Sequence, residues 1–368
     1  MNVQFSETQE MLRTSAREFL AENCPPSLVR DMCQNETGYA RDLWNAMAAL
    51  GWPGLCLPEE HGGSGLTFLD FCLLQEELGR ACAPAPLTAT AAAGLAIADA
   101  GSEAQRAELL PRIASGDALV TVCPAWPRDS RGAEEPPVAR PSDDGFSISG
   151  GLDFVPWADA AEAVLCPAII GPTCEETRLV VLRMNAPGLS ITPLHNAAGP
   201  DRLWQLRLDS VRVETETVLE HSGVDTLGRM VTLLDAARCC DLVGTLSHVL
   251  EATIAYANER TQFGRTIGSF QTIQHYCADM HIMLEGLRMS AYVAAWSLSE
   301  GNDGARSTAI ACAYAHRVVP PILNLAHQIH GAMGVTYEHD LHLYTTRATP
   351  PAHDLLPMAA YLEVVHTS

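Results

Sequence analysis

Apolar positions along the chain recur in two different rhythms, and the change between them outlines the architecture. Leu242, Leu246, Val249, Leu250, Thr253, Ile254 and Ala257 recur at three- and four-residue steps, the period of one helix face. Ile273, Tyr276, Cys277, Met280, Met283, Leu284 and Leu287 do the same. The stretch between them, Glu259 to His275, is short and holds Phe263-Gly264 and Gly268, which predicts two long antiparallel helices joined by a tight connection. The first part of the chain is helical as well. Ser6 stands as an N-cap before Glu7-Thr8-Gln9-Glu10, and Pro25-Pro26 close that helix. A second helix runs through Asp42 to Met47 and stops at Gly51. A third carries Leu69, Cys72, Leu73, Glu76 and Leu78, and an alanine-rich helix spans Thr88 to Ala100. Gly116-Asp117 ends this region.

From Ala118 to about Gly223 the period drops to two. Leu119–Cys123, Phe146–Ser149, Ala163–Cys166, Leu179–Leu182, Leu189–Thr192 and Trp204–Leu208 read as short strands. Asp143-Asp144-Gly145 and Ala186-Pro187-Gly188 read as turns between them. The expectation is a small antiparallel barrel or sandwich. Arg128 to Pro141, charged and proline-rich, reads as a mobile loop. From Val224 the helical period returns. The fold class is therefore α+β, with an N-terminal helical domain at 1–117, a middle β domain at 118–223 and a C-terminal helical bundle at 224–368.

Composition narrows the function. A chain of 368 residues, 47% apolar, has the size of a multi-domain subunit with a large core. Its net charge of -21 argues against nucleic acid, whose phosphates need clustered cations. All 23 basic residues are arginine, so a pyridoxal Schiff base, a lysine nucleophile and a P-loop lysine are excluded. The 12 cysteines form no C-x-x-C pair and read as small core residues in a reducing compartment. No apolar run is long enough to span a bilayer, and the Met1–Glu7 start has no signal-like character, so the expected location is cytoplasmic.

The chemistry concentrates in the connection Arg260-Thr261-Gln262-Phe263-Gly264-Arg265-Thr266-Ile267-Gly268-Ser269-Phe270-Gln271. Arg260, Gln262, Phe263 and Gln271 offer a guanidinium, two amides and an aromatic ring. That set suits a flat, anionic ligand, because a guanidinium forks two hydrogen bonds onto a phosphate. The same residues also suit a surface hairpin with an arginine salt bridge. The whole string, through Ile273 and Gln274, resembles the hallmark of the acyl-CoA dehydrogenase family, R-x-Q-F-G-x-x-I-x-x-F-Q-x-x-Q, at every fixed position. Pro58-Glu59-Glu60-His61-Gly62-Gly63-Ser64-Gly65 is similar to the family's P-E-x-x-G-G-x-G turn, and it lacks the lysine of a phosphate loop. Gln328-Ile329-His330-Gly331-Ala332-Met333-Gly334 through Glu338 looks like its Q-x-x-G-G-x-G-x-x-x-E segment. The ending Glu338-His339-Asp340-Leu341-His342-Leu343-Tyr344 is similar to a bacterial branch acting on large, often steroid-derived CoA thioesters. His327, His330, His339 and His342 invite a metal reading, but no third ligand follows a fixed pattern; polar packing at a subunit contact accounts for them, and no metal is expected.

The resemblance implies the acyl-CoA dehydrogenase fold with a middle β-barrel and a C-terminal four-helix bundle. It implies FAD as cofactor, an acyl-CoA thioester as substrate and an electron-transferring flavoprotein as acceptor. In that family a carboxylate removes the Cα proton while the Cβ hydrogen leaves as hydride to the flavin. The hairpin and the Q-x-x-G-G segment grip the flavin nucleotide of a neighbouring subunit. Carried over by position, the cofactor-binding residues are Arg260, Gln262, Phe263, Gln271, Gln328 and Gly331. The family's own-flavin contacts are altered. Its T-E-P-G-x-G-S stretch falls on Val122-Cys123-Pro124-Ala125-Trp126-Pro127, and its W-[IV]-T stretch on Phe154-Val155-Pro156, where proline has no N–H. The usual glutamate base is absent from Ala348–Leu356. The helix position used by other members falls at Leu234, with Asp235 adjacent, so Asp235 and Asp354 are the candidate bases, though each also fits a solvent-facing or salt-bridged carboxylate. The expected assembly is a heterotetramer in which this chain serves a related subunit's flavin. The alternatives are a self-sufficient homotetramer, a flavin monooxygenase or nitroalkane oxidase on the same fold, and a scaffold without activity.

Overall fold

The computed structural model describes residues 5–35, 38–123, 137–142, 145–170, 176–194, 203–302, 304–349 and 357–367. Its elements run in the order helices, strands, helices. They are α1 (Glu7–Asn23), α2 (Pro26–Gln34), α3 (Arg41–Ala49), α4 (Phe68–Arg80), α5 (Leu87–Ala100) and α6 (Glu103–Ala114). Next come β1 (Val120–Val122), β2 (Val138–Ser142), β3 (Gly145–Pro156), β4 (Ala163–Ile170), β5 (Glu176–Arg183), β6 (Leu189–Leu194) and β7 (Leu203–Val213). Then follow α7 (Val224–Glu259), β8 (Thr261–Gln262), β9 (Arg265–Thr266), α8 (Gln271–Ser299), α9 (Ala305–His330), α10 (Leu341–Ala348) and α11 (Met358–Thr367). Ser6 caps α1 as its sequence requires. The hydroxyl accepts the Gln9 backbone N–H at 3.2 Å, and the Gln9 side chain accepts the Ser6 N–H at 3.0 Å. Ser102 and Gln105 repeat this box at α6, at 3.2 and 2.7 Å.

Close contacts divide the chain into two compact units. One gathers Met32–Thr67 and Pro84–Leu234, the other Met1–Asp31, Phe68–Ala83 and Asp235–Ser368. In the first, the strands form one seven-stranded, curled sheet in the order β1-β4-β2-β3-β7-β6, with β5 on the far edge of β4. β4 is buried on both faces. Ala163 and Leu165 join a cluster with α5, α6 and Leu57, while Val164, Cys166, Ala168 and Ile170 face a second cluster with Trp204, Leu206 and Leu208. This two-sided burial follows from the period of two and makes β4 an unbroken apolar run.

Two expectations are corrected here. The sheet is mixed, because β4 pairs in parallel with β1 at Val120–Val122 and with β2 at Val138-Ala139. Part of the expected loop is a strand: residues 138–142 form β2, which pairs with β3 over five residues. The rest of that stretch, 124–136, lies outside the described residues, as do Asp143 and Asp144.

The second unit is a helical bundle. α4 crosses α7 with backbone in contact: a Cβ added at Gly244 would stand 1.7 Å from the Glu76 carbonyl oxygen. Buried charges tie α4 to the helices around it. Glu76 is held by Arg288 and by the Tyr292 hydroxyl. Glu77 takes a two-pronged grip from Arg17 at 2.8 and 2.9 Å. Asp241 accepts from Arg347 at 2.5 and 3.1 Å, from Arg238 at 3.0 Å and from Gln75 at 3.2 Å, tying α10 and α4 to α7. Among the described residues no helix is long and apolar enough to cross a membrane.

Candidate functional site

α7 ends at Glu259, and the chain turns through the two-residue ladder of β8 and β9, Thr261 opposite Thr266 and Gln262 opposite Arg265. Phe263 and Gly264 make the turn in the left-handed region, at φ +53° and +80°. Arg260 is fixed at its backbone from both sides. Its N–H donates to Tyr256 O at 2.9 Å, and its carbonyl accepts from Ile267 N at 2.8 Å. Its guanidinium is exposed and makes no hydrogen bond or ion pair among the described residues. Arg265, by contrast, lies over the Phe270 ring at 4.1 Å and is thereby occupied. Phe263 meets the edge of Phe270 at 6.2 Å and is otherwise 92% exposed, a large apolar ring with nothing over it in this chain. Gln271, the first residue of α8, is also exposed. Gln262 is exposed, with its amide turned onto the Thr261 carbonyl at 2.7 Å.

The second motif lies at the C-terminal end of α9. Gln328 is exposed. Gly331 ends the helix at φ +59° and ψ -138°, a region in which only glycine is comfortable, and a Cβ there would meet nothing within 4 Å. The open space beside its backbone is what a close-approaching ligand needs.

The structure brings the two motifs together through the histidine cluster already noted in the sequence and through Tyr256, which the sequence does not single out. Tyr256, one turn before Arg260, stacks on His330 at 4.5 Å and 21°. Its hydroxyl donates to the His330 carbonyl at 3.4 Å. His339 meets His330 edge-on at 4.7 Å. His327 Nε2 pairs with Thr345 Oγ1 at 2.7 Å, and His342 Nδ1 with the His339 carbonyl at 2.8 Å. The histidines are thus engaged in stacking and in bonds to their own neighbourhood. Burial is the main influence on His327 and His330, and it holds both below the usual imidazole range. The only early hint of the stack was the one-turn spacing from Tyr256 to Arg260.

The remaining candidates lie elsewhere. Leu234 packs into the apolar cluster of α5, α6 and β1. Asp235, turned about 100° further round the helix, is 7% exposed and accepts the Tyr361 hydroxyl at 2.9 Å. Asp354 and Pro124-Ala125-Trp126-Pro127 lie outside the described residues. In the β unit, β3 carries a bulge between Leu152 and Val155, with Phe154 left-handed and 40% exposed. Pro156 has no N–H, and its carbonyl accepts the Thr121 hydroxyl at 2.5 Å.

These features separate two kinds of fit to a flavin dinucleotide. The hairpin end of the bundle fits: Arg260, Gln271 and Gln328 are exposed and unspent, and the Gly331 backbone is open. The Phe154-Val155-Pro156 edge offers an aromatic ring and no donor at Pro156.

Two family models match the chain, the acyl-CoA dehydrogenase N-terminal domain over residues 6–117 and its C-terminal domain over residues 225–350. The chain belongs to the acyl-CoA dehydrogenase family, the FAD-dependent oxidoreductases that desaturate CoA thioesters. Among its relatives, acyl-CoA dehydrogenase IpdE2 of Mycolicibacterium smegmatis is 30% identical over 358 residues, covering 96% of each chain. The probable acyl-CoA dehydrogenase YngJ of Bacillus subtilis is 29% identical, covering 92% of each. The ChsE4-ChsE5 complex from Mycobacterium tuberculosis superposes with a TM-score of 0.91 at 25% identity, over 100% of this chain and 98% of that one. These relatives place the chain with the bacterial steroid-type branch.

Proposed function

We propose that this chain is one of two related subunits in an acyl-CoA dehydrogenase that introduces an α,β double bond into a bulky, steroid-like acyl-CoA. Its part is to complete the flavin site of its partner with Arg260, Gln262, Phe263, Gln271, Gln328 and Gly331. One observation carries the reading: the nucleotide-gripping groups stand exposed together at one end of the bundle, while the chain's own β edge presents Pro156 where a donor is needed. Arg260 and the amides would bind the pyrophosphate and adenosine. Phe263 would cover the ring system or the partner's surface beside it, shielding the site from water. FAD, when bound, accepts the hydride, and the base and the flanking β edge belong to the partner.

The branch supports the substrate class and the assembly. The Tcur3481-Tcur3483 steroid ACAD, a pair of chains by its name, superposes with a TM-score of 0.87 at 30% identity, over 98% of this chain and 97% of that one. An electron-transferring flavoprotein is the expected acceptor. The alternative makes the chain self-sufficient, with Asp235 as base. Its burial and its bond to Tyr361 favour a structural carboxylate instead.

Co-expression with a related subunit tests the reading, with flavin absorbance per protomer compared against the chain alone. FAD appearing only with the partner, at half-site occupancy and lost in Arg260→Ala, supports it. A chain that is fully yellow alone and oxidises acyl-CoA sinks it.

A further inference from the structure

The contact joining the two motifs is built from three aromatic side chains, Tyr256, His330 and His339, of which His330 is the buried one. His330 is 3% exposed. Its Nδ1 lies 2.9 Å from the Ala326 carbonyl, an acceptor, so Nδ1 carries the hydrogen and the ring is held in one tautomer. Its Nε2 is left as a bare acceptor, buried and without a hydrogen-bond partner among the described residues. One face of the ring lies on Tyr256, and His339 closes its edge. Tyr256 and His339 also meet each other, edge-on at 6.3 Å. The stack joins a residue of α7 whose carbonyl fixes the Arg260 N–H to the residue immediately before Gly331.

We infer that His330 is a positioning residue for the flavin nucleotide: in its neutral form it locks the Gly331 turn and Gln328 onto the Arg260 end of α7, and its protonation releases them. This rests on the reading that this end of the bundle grips a flavin. The titratable groups facing His330 are His327 on its own helix, Tyr256 on α7 and His339 on the turn before α10. None is a carboxylate. Asp340, next to His339, is engaged by Arg30. A positive charge at His330 therefore has no carboxylate counter-ion within the stack. It would place a cation in a buried site that His327 and His339 already make unfavourable. Burial opposes the charged form most, the Ala326 carbonyl works the other way, and the balance holds the ring below the usual imidazole range.

The test uses the flavin-loaded protein, with the partner subunit if loading requires it. FAD affinity is followed by flavin fluorescence from pH 8 to pH 5.5, in wild type, His330→Phe and Arg260→Ala. Phenylalanine keeps the stacked ring and cannot be protonated. Wild-type affinity should fall severalfold by pH 5.5 and by no more than about tenfold, because a flavin-free His330 pKa below 6.5 caps the linked loss. His330→Phe should hold FAD within about threefold of wild type at pH 8 and lose the pH dependence. In parallel, hydrogen exchange at the histidine ring carbons reads the His330 pKa without flavin, and a value below the usual 6.5 is expected. A flat wild-type profile, a wild-type slope retained in His330→Phe, or an ordinary His330 pKa overturns the inference. Unchanged FAD affinity in Arg260→Ala instead overturns the underlying reading, so the two failures are distinguishable. A His330→Phe chain that does not fold leaves the ring-exchange measurement on wild type to decide.

Discussion

Two aspartates six residues apart on α7 show how differently a buried carboxylate can be used. Asp241 is satisfied by two arginines and a glutamine. Burial alone would raise its pKa, but Arg347 and Arg238 override it and hold the carboxyl below its usual range. Stability from such a group is present above the ordinary carboxylate pKa and is lost as pH falls through the lowered one. Arg347→Ala should lower the unfolding free energy by about 3 kcal/mol, because it leaves a buried carboxylate with Arg238 and Gln75 alone. Part of the acid-induced loss should vanish with it, and chemical denaturation at pH 7 and pH 4 checks both. Asp235 faces Tyr361 instead. Asp235→Asn should depress the melting temperature and leave kcat of the assembled enzyme within about tenfold, as the proposed assignment of the base to the partner requires. A loss of several orders of magnitude in kcat with FAD retained would assign it as the base.

At the scale of elements, Gly244 of α7 serves the close packing of α7 on α4. Gly244 meets the Glu76 carbonyl of α4, and Gly79 of α4 meets the Asp241 carbonyl, so the two helices cross with backbone against backbone. Alanine at 244 gains about 1 kcal/mol in helix propensity. It also forces backbone apart, and a clash that no rotamer relieves costs about 1–3 kcal/mol or more. Gly244→Ala should therefore be net destabilising, seen as a lower denaturant midpoint at unchanged slope. The helices were legible because a 3.6-residue period and a cap such as Ser6 are local signals, although the equally local Ser102 cap of α6 went unread. β2 was not, since only Ala139 of its five residues is fully buried and Arg140 and Pro141 give it the texture of a loop. Nor were the parallel pairings of β4, which join segments tens of residues apart. The candidate site divides the same way. Arg260, Phe263 and Gly331 could be read as motif positions, whereas the Tyr256–His330 stack joins residues 74 apart and has no local signature.

At the scale of the whole molecule, pH sets two effects against each other. The chain carries a formal charge of -21, and any proton uptake on acidification relieves that self-repulsion. The relief is weak, because charges beyond about 8 Å are screened at physiological salt. Against it stand His248, His327 and His330, each held below the ordinary imidazole value first of all by burial. His248 lies flat on Tyr344 at 4.0 Å and belongs to the same bundle. A group with a lowered folded pKa leaves the unfolded chain binding more protons, so stability rises with pH across that window and is lost as pH falls below about 6.5. Each such proton is worth at most about 1.4 kcal/mol per pH unit, less for half-exposed His327. The buried His330 and the partly buried His248 and His327 should together outweigh screened surface relief. The melting temperature should fall from pH 7 to pH 5.5, while the ordinary carboxylates remain ionised, and replacing His248 with phenylalanine should shallow that slope at any salt concentration. If the fall disappears in high salt, surface charge rather than the buried histidines governs the acid limb.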